Sequence, residues 1–547
     1  MSQLDTRNLQ GFQRAQNSTK YGWFLSTQNS MQCIATRKPL MQHKWNFVVL
    51  KMTTYTKIAV KGAATIFSIS IIAAFLGYLV RVILAKNLSM EEFGLFYAVF
   101  AFLGLIGIFK SFGFDKALAK FIPEFMHKKE NDSIKNSILY VVIIQLITNS
   151  IVIIVIYMIS DFLASNYFHN SQAGIILILM AIAFFLDSFS QVLKFAFQGF
   201  KKMAYFSGVD LIRMTLITII ILAGFKLNYG LLSPIIAYII TPIVLLIIFS
   251  WILVKKVFPE FFVSKFMINK MLLKRISKYS IHILAISVGG VVLGYTDTIM
   301  LTYFTGLTSV ALYSVALPTA RVLLYFPRAL SEVLLPLTSE LWAKKKEKML
   351  REGMELLYKY SFIIIIPLVF MMFSFADLII SVFFGRSYMP AANAMKILSI
   401  GMIFATISGI NSNFFPGIGK PQITSKIVYS AAIFNFIGNL ILIPLLGING
   451  AAITTSLGYL IMMTIGLINM RKFIEISFPI KIWAKSLIAG LIFTLIIWLL
   501  KGLLVFNVWL ETAIVLIMSG IVYIALLFLL KVINTAELKE LYRRIVK

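Results

Sequence analysis

One cysteine, Cys33, in 547 residues leaves this chain no means of building a disulfide framework or a cysteine metal site. Charge is scarce as well: only 13% of residues are Asp, Glu, Lys or Arg, where a soluble domain carries roughly a quarter. The eight Asp include no D-x-D pair, and His43, His127, His169 and His282 are scattered. No GxxxxGK[ST] phosphate loop occurs, so ATP hydrolysis has no seat in the chain. No loop is long enough to hold a soluble catalytic domain, and neither an enzyme nor a bound cofactor is expected. What is abundant is apolar: 59% of the residues are hydrophobic, among them 47 Phe, in strings such as IILILMAIAFFL. The chain reads as an all-α, polytopic membrane protein.

Crossing a bilayer takes about 20 apolar residues. Runs of that kind fall near 63–84, 93–112, 137–160, 174–197, 207–225, 231–254, 279–303, 308–334, 360–384, 394–415, 424–446, 450–470, 482–500 and 512–531, about fourteen spans. With the first loop external, Lys and Arg crowd every second loop, as in Lys201 and Lys202 or Lys344, Lys345, Lys346 and Lys348. The other loops offer only Lys86, Lys226, Arg386 and Lys501. A missed or invented span would break that alternation, so it supports both the count and a cell-membrane orientation with both ends cytoplasmic. The net charge of +29 is then topological. Its partners are anionic lipid headgroups and not nucleic acid.

Residues 1–56 are polar, rich in Gln and Asn, and lack a signal-peptide core. They are expected to form a disordered cytoplasmic extension, or to reflect a start assigned upstream of Met52. Beyond them an internal echo is visible. QGFKKMAYF is followed by Gly230 and Tyr238, and PGIGKPQIT by Gly450 and Tyr459, with Gly199-x-x-Lys202 matching Gly417-x-x-Lys420. Such repeats mark transporters whose halves rock about a midplane site. The expected division is an N-lobe over 57–257, a C-lobe over 258–473, two pseudo-symmetric bundles of six spans each, and spans thirteen and fourteen with a basic tail over 474–547. Ser89 and Glu92 have the spacing of a capping box that starts the second span.

Several charges fall inside spans. The fourth carries Asp187, Gln191, Lys194 and Gln198 at steps of four, three and four; the eighth carries Arg321, Tyr325, Arg328 and Glu332 at the same steps. Read as unbroken helix, each set lies on one face. The seventh sets Ser287, Gly290, Gly294 and Asp297 on a face, and the first ends the small-residue row Ser70, Ala74 and Gly77 with Arg81. An ionised group at mid-bilayer costs roughly 2.5–3.5 kcal/mol on insertion scales, so these faces are expected to line water or partners. Arg321, about 20 Å in from the outer end at 1.5 Å per residue, points to a hydrated cavity. Arg328 and Glu332 approach the inner interface, where snorkelling or mutual pairing serves equally well, and Arg81 has snorkelling as a rival reading. Asp187 and Lys194, two turns apart, either neutralise each other within the span or pair across helices, the latter being expected, and Asp297 is either a hydrogen-bond anchor or a transport group. Arg81, Lys194, Arg321 and Arg328 outnumber Asp187 and Asp297, which points to an anionic substrate.

The stretch LVRVILAKNLSMEEFGLFYAVFAFLGLIGIFKSFGFDKALAKFIPE, with FQGFKKM, GYTDTIMLTYFTGLTSVALYSVA, FGRSYMPAANAMKILSIG and GKPQITSKIVYSAAIFNFIGNLILIPLLGINGAA, resembles the polysaccharide-transport flippases over residues 60 to about 475. That family shares a superfamily with lipid II flippases and multidrug and toxin extrusion proteins. The resemblance implies alternating access around a central cavity and movement of a lipid-linked oligosaccharide between leaflets. Spans thirteen and fourteen would help to accommodate the lipid tail. In the similar lipid II flippases, arginines of the first, second and eighth spans contact the pyrophosphate region. Arg81 matches the first, Arg321 or Arg328 the eighth, and Lys110 departs from the second. The resulting expectation is a flippase for a polyprenyl-phosphate or polyprenyl-diphosphate-linked oligosaccharide. Arg81, Lys194, Arg321 and Arg328 are its candidate anion contacts, Asp187 and Asp297 its candidate coupling or gating groups, and H⁺ or Na⁺ a possible coupling ion. A cation-coupled small-molecule extruder is the alternative; a membrane glycosyltransferase would need a long external loop with carboxylates, which the sequence lacks.

Overall fold

The computed structural model describes residues 54–501 and 507–533, with side chains from Ser68 onward except those of Phe326, residues 328–333, Pro336 and Val508. Residues 1–53 and the tail beyond 533 lie outside this range, so the expected polar extension and basic tail fall largely beyond it. No strand occurs among the described residues, as lipid requires of chains that must satisfy backbone groups within each segment. The first set of helices is α1 (Thr54–Asn87), α2 (Met90–Ile106), α3 (Ile108–Ser111), α4 (Phe114–Lys128), α5 (Asn131–Asn166), α6 (Ala173–Gly199), α7 (Met203–Lys226) and α8 (Leu232–Ile252). A second set comprises α9 (Lys270–Thr305), α10 (Leu307–Arg321), α11 (Tyr325–Ala343), α12 (Glu347–Ser374), α13 (Ala376–Phe383), α14 (Ala391–Gly417), α15 (Pro421–Leu446) and α16 (Ile448–Met470). Then come α17 (Ile480–Leu500) and α18 (Val508–Leu529). Among the described residues, thirteen helices are long and apolar enough to cross a membrane, fourteen if a bent pair starting with α2 is one span.

Outward faces carry exposed apolar side chains such as Met158 at 76% and Ile247 at 68% exposure, which water would penalise and lipid accepts. Each helical set has one enclosed member. In the first, α6 packs against α2, α4, α5, α7 and α8; in the second, α14 packs against α10, α11, α12, α15 and α16. Both are 27 residues long. The sets meet where α2 lies along α9 and α10, α1 along α11, and α4 against α9, while α17 packs on α12 and α18 on α17. Gly94 permits the α2–α10 approach: a Cβ there would sit 2.1 Å from the Leu307 carbonyl oxygen. At the Lys/Arg-rich end, Arg275 Nη2 donates to both oxygens of Glu124, at 2.9 and 2.8 Å, and ties α9 to α4.

The predicted capping box is present: Ser89 Oγ accepts from the Glu92 N–H at 3.2 Å and Glu92 Oε2 from the Ser89 N–H at 2.9 Å. The second span does not run straight. Met90–Ile106 and Ile108–Lys128 meet at 43°, and Phe112 and Gly113 take left-handed φ values of 45° and 78°. A Cβ at Gly113 would also lie 2.8 Å from the Ser280 carbonyl, so glycine is required twice over. Broken backbone at membrane depth needs partners; the Lys110 carbonyl finds them in Asn149 Nδ2 at 3.1 Å and Thr148 Oγ1 at 3.3 Å.

The eighth span corrects the sequence reading. It is not one helix from 308 to 334: α10 ends at Arg321, a 3₁₀ turn covers Val322–Leu324, and α11 begins at Tyr325. The cause is Pro327, which has no N–H for the Leu323 carbonyl and crowds it with its ring. Three residues at 3.0 per turn in place of 3.6 rotate α11 by roughly 60°, so positions 321, 325, 328 and 332 no longer follow one helical period. The side chains of Arg328 and Glu332 lie outside the described residues.

Candidate functional site

Residues of the second set of helices line an open cavity of about 510 Å³. Gly290 and Gly294 of α9, Arg321 of α10, Leu324 and Pro327, a face of α14, and Tyr459 and Met462 of α16 form its walls. The α14 face is Ala405, Thr406, Ser408, Gly409, Ser412 and Asn413, small or neutral polar residues whose spacing keeps one side of the helix open. Arg321 Nη2 donates to Tyr459 Oη at 3.2 Å. Among the described side chains no carboxylate forms an ion pair with Arg321. The wall therefore offers a guanidinium with free donors beside neutral hydroxyl and amide groups, a set suited to phosphate or carboxylate oxygens. The seventh-span face Gly290 and Gly294 was legible; Tyr459 and the α14 face were not, because small residues advertise nothing in a sequence.

Asp297 sits apart from that cavity wall, 3% exposed. It accepts from Tyr313 Oη and Thr455 Oγ1, both at 2.5 Å, and from Asn435 and Asn439 Nδ2 at 3.0 and 2.7 Å. Four neutral donors use the acceptor capacity of a carboxylate. The bonds join α9, α10, α15 and α16, so Asp297 is an anchor among these helices. Thr454 extends the network by donating to Asn439, and Asn439 Nδ2 reaches Asn435 Oδ1 at 3.1 Å. Asn435 and Asn439 stand four apart in the otherwise apolar AAIFNFIGNLILIP, a signal that sequence reading passed over.

The first set of helices holds a different arrangement. Asp187 of α6 pairs with Lys110 of α3 at 3.0 Å and with Arg213 of α7 at 2.9 Å; Asp210 of α7 pairs with Lys194 of α6 at 2.6 Å and Arg213 at 3.5 Å. With its amide oriented by these neighbours, Gln191 accepts from both Nη atoms of Arg213 at 2.8 Å. Asp187 thus pairs across helices, as expected, and not with Lys194. Lys194 is not a free cation here: Asp210 neutralises it, and its ammonium lies 4.9 Å from the centre of the Phe206 ring. Asp210 and Arg213 were missed, although a carboxylate and a guanidinium three residues apart inside an apolar span were there to be read.

Arg81 has a third environment. Its guanidinium lies 4.2 Å from the centre of the Tyr97 ring and donates to the Ser314 carbonyl. That carbonyl is free because Pro318, four residues on, has no N–H to give it. Nearby, Tyr78 Oη and Thr319 Oγ1 share a hydrogen bond of 3.1 Å. Arg81 therefore joins α1 to the backbone of α10 and is not among the residues lining the cavity.

The model of the polysaccharide biosynthesis protein family matches residues 59–342, more than half of the chain, and that of the MatE family matches residues 283–441. An uncharacterized membrane protein of Methanocaldococcus jannaschii is 36% identical over 510 residues, spanning 90% of this chain and all of that protein. The probable low-salt glycan biosynthesis flippase Agl15 of Haloferax volcanii is 22% identical over 491 residues, 88% of this chain and 98% of its own. Among solved structures, the lipid II flippase MurJ in an inward closed conformation superimposes with a TM-score of 0.69 at 17% identity, over 88% of this chain and 99% of that one. An inward-facing multidrug resistance transporter of the MATE family gives 0.65 at 16% identity, over 75% and 97%. Those two likenesses carry the fold, and the family match and the relative at 36% identity carry the kinship. The chain belongs to the polysaccharide biosynthesis protein family.

Proposed function

We propose that this protein is a flippase that carries a polyprenyl-phosphate- or polyprenyl-diphosphate-linked oligosaccharide from the inner to the outer leaflet of the cell membrane. The observation that carries the reading is Arg321, a guanidinium without a carboxylate partner among the described residues, on the wall of a cavity of about 510 Å³. A charge held at that depth is expensive unless water or a ligand reaches it. Residues 57–257 and 258–473 act as the two rocking lobes in this reading, with the Lys/Arg-rich end in the cytoplasm. Arg321 grips the phosphate region. Arg81 holds the first lobe to α10, Lys194 and Asp187 belong to a charge cluster that joins α3, α6 and α7, and Arg328 is a further contact near the inner end. Asp297, where a proton or a monovalent cation could replace neutral donors, is the coupling group.

A small-molecule extruder coupled to H⁺ or Na⁺ is the second reading, favoured by the MatE match over 283–441 and by the buried Asp297 without a basic partner. Mass spectrometry of lipids that co-purify with the protein separates the two. Polyprenyl glycans retained by the wild type and lost in Arg321→Ala support the flippase. Absence of such lipids, together with drug efflux in cells, supports extrusion.

A further inference from the structure

The cluster of Lys110, Asp187, Gln191, Lys194, Asp210 and Arg213 invites a simple explanation, that charges inside a membrane protein cancel one another. Three features go beyond it. The cations outnumber the carboxylates by three to two. The paired side chains remain 15–31% exposed, whereas Asp297, whose carboxylate is held by neutral donors, is sealed at 3%. Partial exposure weakens ion pairs, which leaves these cations open to an exchange of partner.

The third feature is position. Laid end to end, the two 27-residue helices α6 and α14 place Asp187, Gln191 and Lys194 level with Ala405, Gly409 and Ser412. Those three α14 residues line the cavity. The charged face of α6 therefore stands at the same level along its helix as the open face of α14 does along its own.

We propose that Lys110, Lys194 and Arg213 form a second anion-binding site, and that Asp187 and Asp210 act as built-in stand-ins for the substrate's oxyanion when no substrate is bound. Carboxylate and phosphate oxygens accept from a guanidinium with the same fork geometry. Exchange of one for the other keeps the cations paired throughout. With Arg321 as the anion contact of the second set, the substrate class is a headgroup bearing two or more negative groups, as a diphosphate does. This rests on the flippase reading above and names the feature of the headgroup that the first lobe reads.

The test uses the full chain in nanodiscs, with farnesyl diphosphate and farnesyl monophosphate as probes, by calorimetry and thermal unfolding. Asp187→Asn removes a stand-in without changing shape; it is expected to bind the diphosphate about tenfold more tightly than wild type and to gain more in melting temperature on adding it. Arg213→Gln is expected to bind diphosphate about tenfold more weakly and to lose the preference over monophosphate. Lys110→Gln leaves both carboxylates and Arg213 in place and is the second variant should Asp187→Asn fail to fold; about fivefold weaker diphosphate binding supports the site. Unchanged diphosphate affinity in Arg213→Gln and Lys110→Gln overturns it, even if Arg321→Ala abolishes binding and so upholds the parent reading. An Asp187→Asn protein whose lowered melting temperature the diphosphate does not recover overturns it as well. No binding of either probe to the wild type removes the parent reading and this site together.

Discussion

The α6 and α14 faces are the same length of helix put to opposite use. On α6 the positions are Asp187, Gln191 and Lys194, each held by a partner on another helix. On α14 they are Ala405, Gly409 and Ser412, small enough to leave about 510 Å³ open beside Arg321. Opposite charges are brought together on one side and kept apart on the other, where Arg321 bonds a tyrosine and Asp297 bonds four neutral donors. Charge spacing in a membrane span thus identifies a polar face. Whether that face is neutralised or waiting is decided by residues on neighbouring helices.

Asp297 offers the largest test of that contrast. Asp297→Ala strands the four donors of Tyr313, Thr455, Asn435 and Asn439 in a sealed site and should lower unfolding stability by about 3 kcal/mol or more, read as a denaturation midpoint in detergent. Arg321→Ala should leave the fold intact and slow glycan flipping about 100-fold, because charge-assisted bonds are worth roughly 1.5–3 kcal/mol; flipping in proteoliposomes is the readout. Filling the open face is expected to matter less. Gly409 has no atom within 4 Å of where its Cβ would be, so Gly409→Leu should fold normally, occupy part of the cavity and reduce flipping about tenfold. Replacing Lys194 and Asp210 together by Met and Leu should change stability by only about 1 kcal/mol, since a paired buried charge gives up little when both partners go. A stability loss as large as that of Asp297→Ala would erase the distinction between the two regions. Smallest of all, Pro318→Ala restores an N–H for the Ser314 carbonyl, competes with Arg81, and should alter the melting temperature by only a degree or two.

Much of the architecture was legible because bilayer thickness imposes a length on every span and basic residues mark alternate loops. The capping box at Ser89 was legible because its logic is local. The break after Arg321 was signalled by Pro327, yet a helix-face reading of 321, 325, 328 and 332 carried straight through it. Pairing was the least legible feature. Lys194 looked like a free anion contact because its partner Asp210 stands on the next helix, sixteen residues on, and Arg81 looked like a substrate contact because the carbonyl it binds is exposed by a proline more than two hundred residues away. The cavity itself is made by glycine, alanine and serine, residues that say nothing until the helices are assembled.

The central claim is that Arg321 faces a hydrated space that attracts anions. In a Cys33→Ser background, Ser412→Cys places a thiol on the cavity wall for labelling by a negatively charged, membrane-impermeant reagent in proteoliposomes. The account predicts rapid labelling that slows when Arg321 is changed to Ala and slows again when a polyprenyl diphosphate glycan is present. A thiol that the reagent cannot reach from either side, or one whose labelling ignores both the substitution and the glycan, would contradict it.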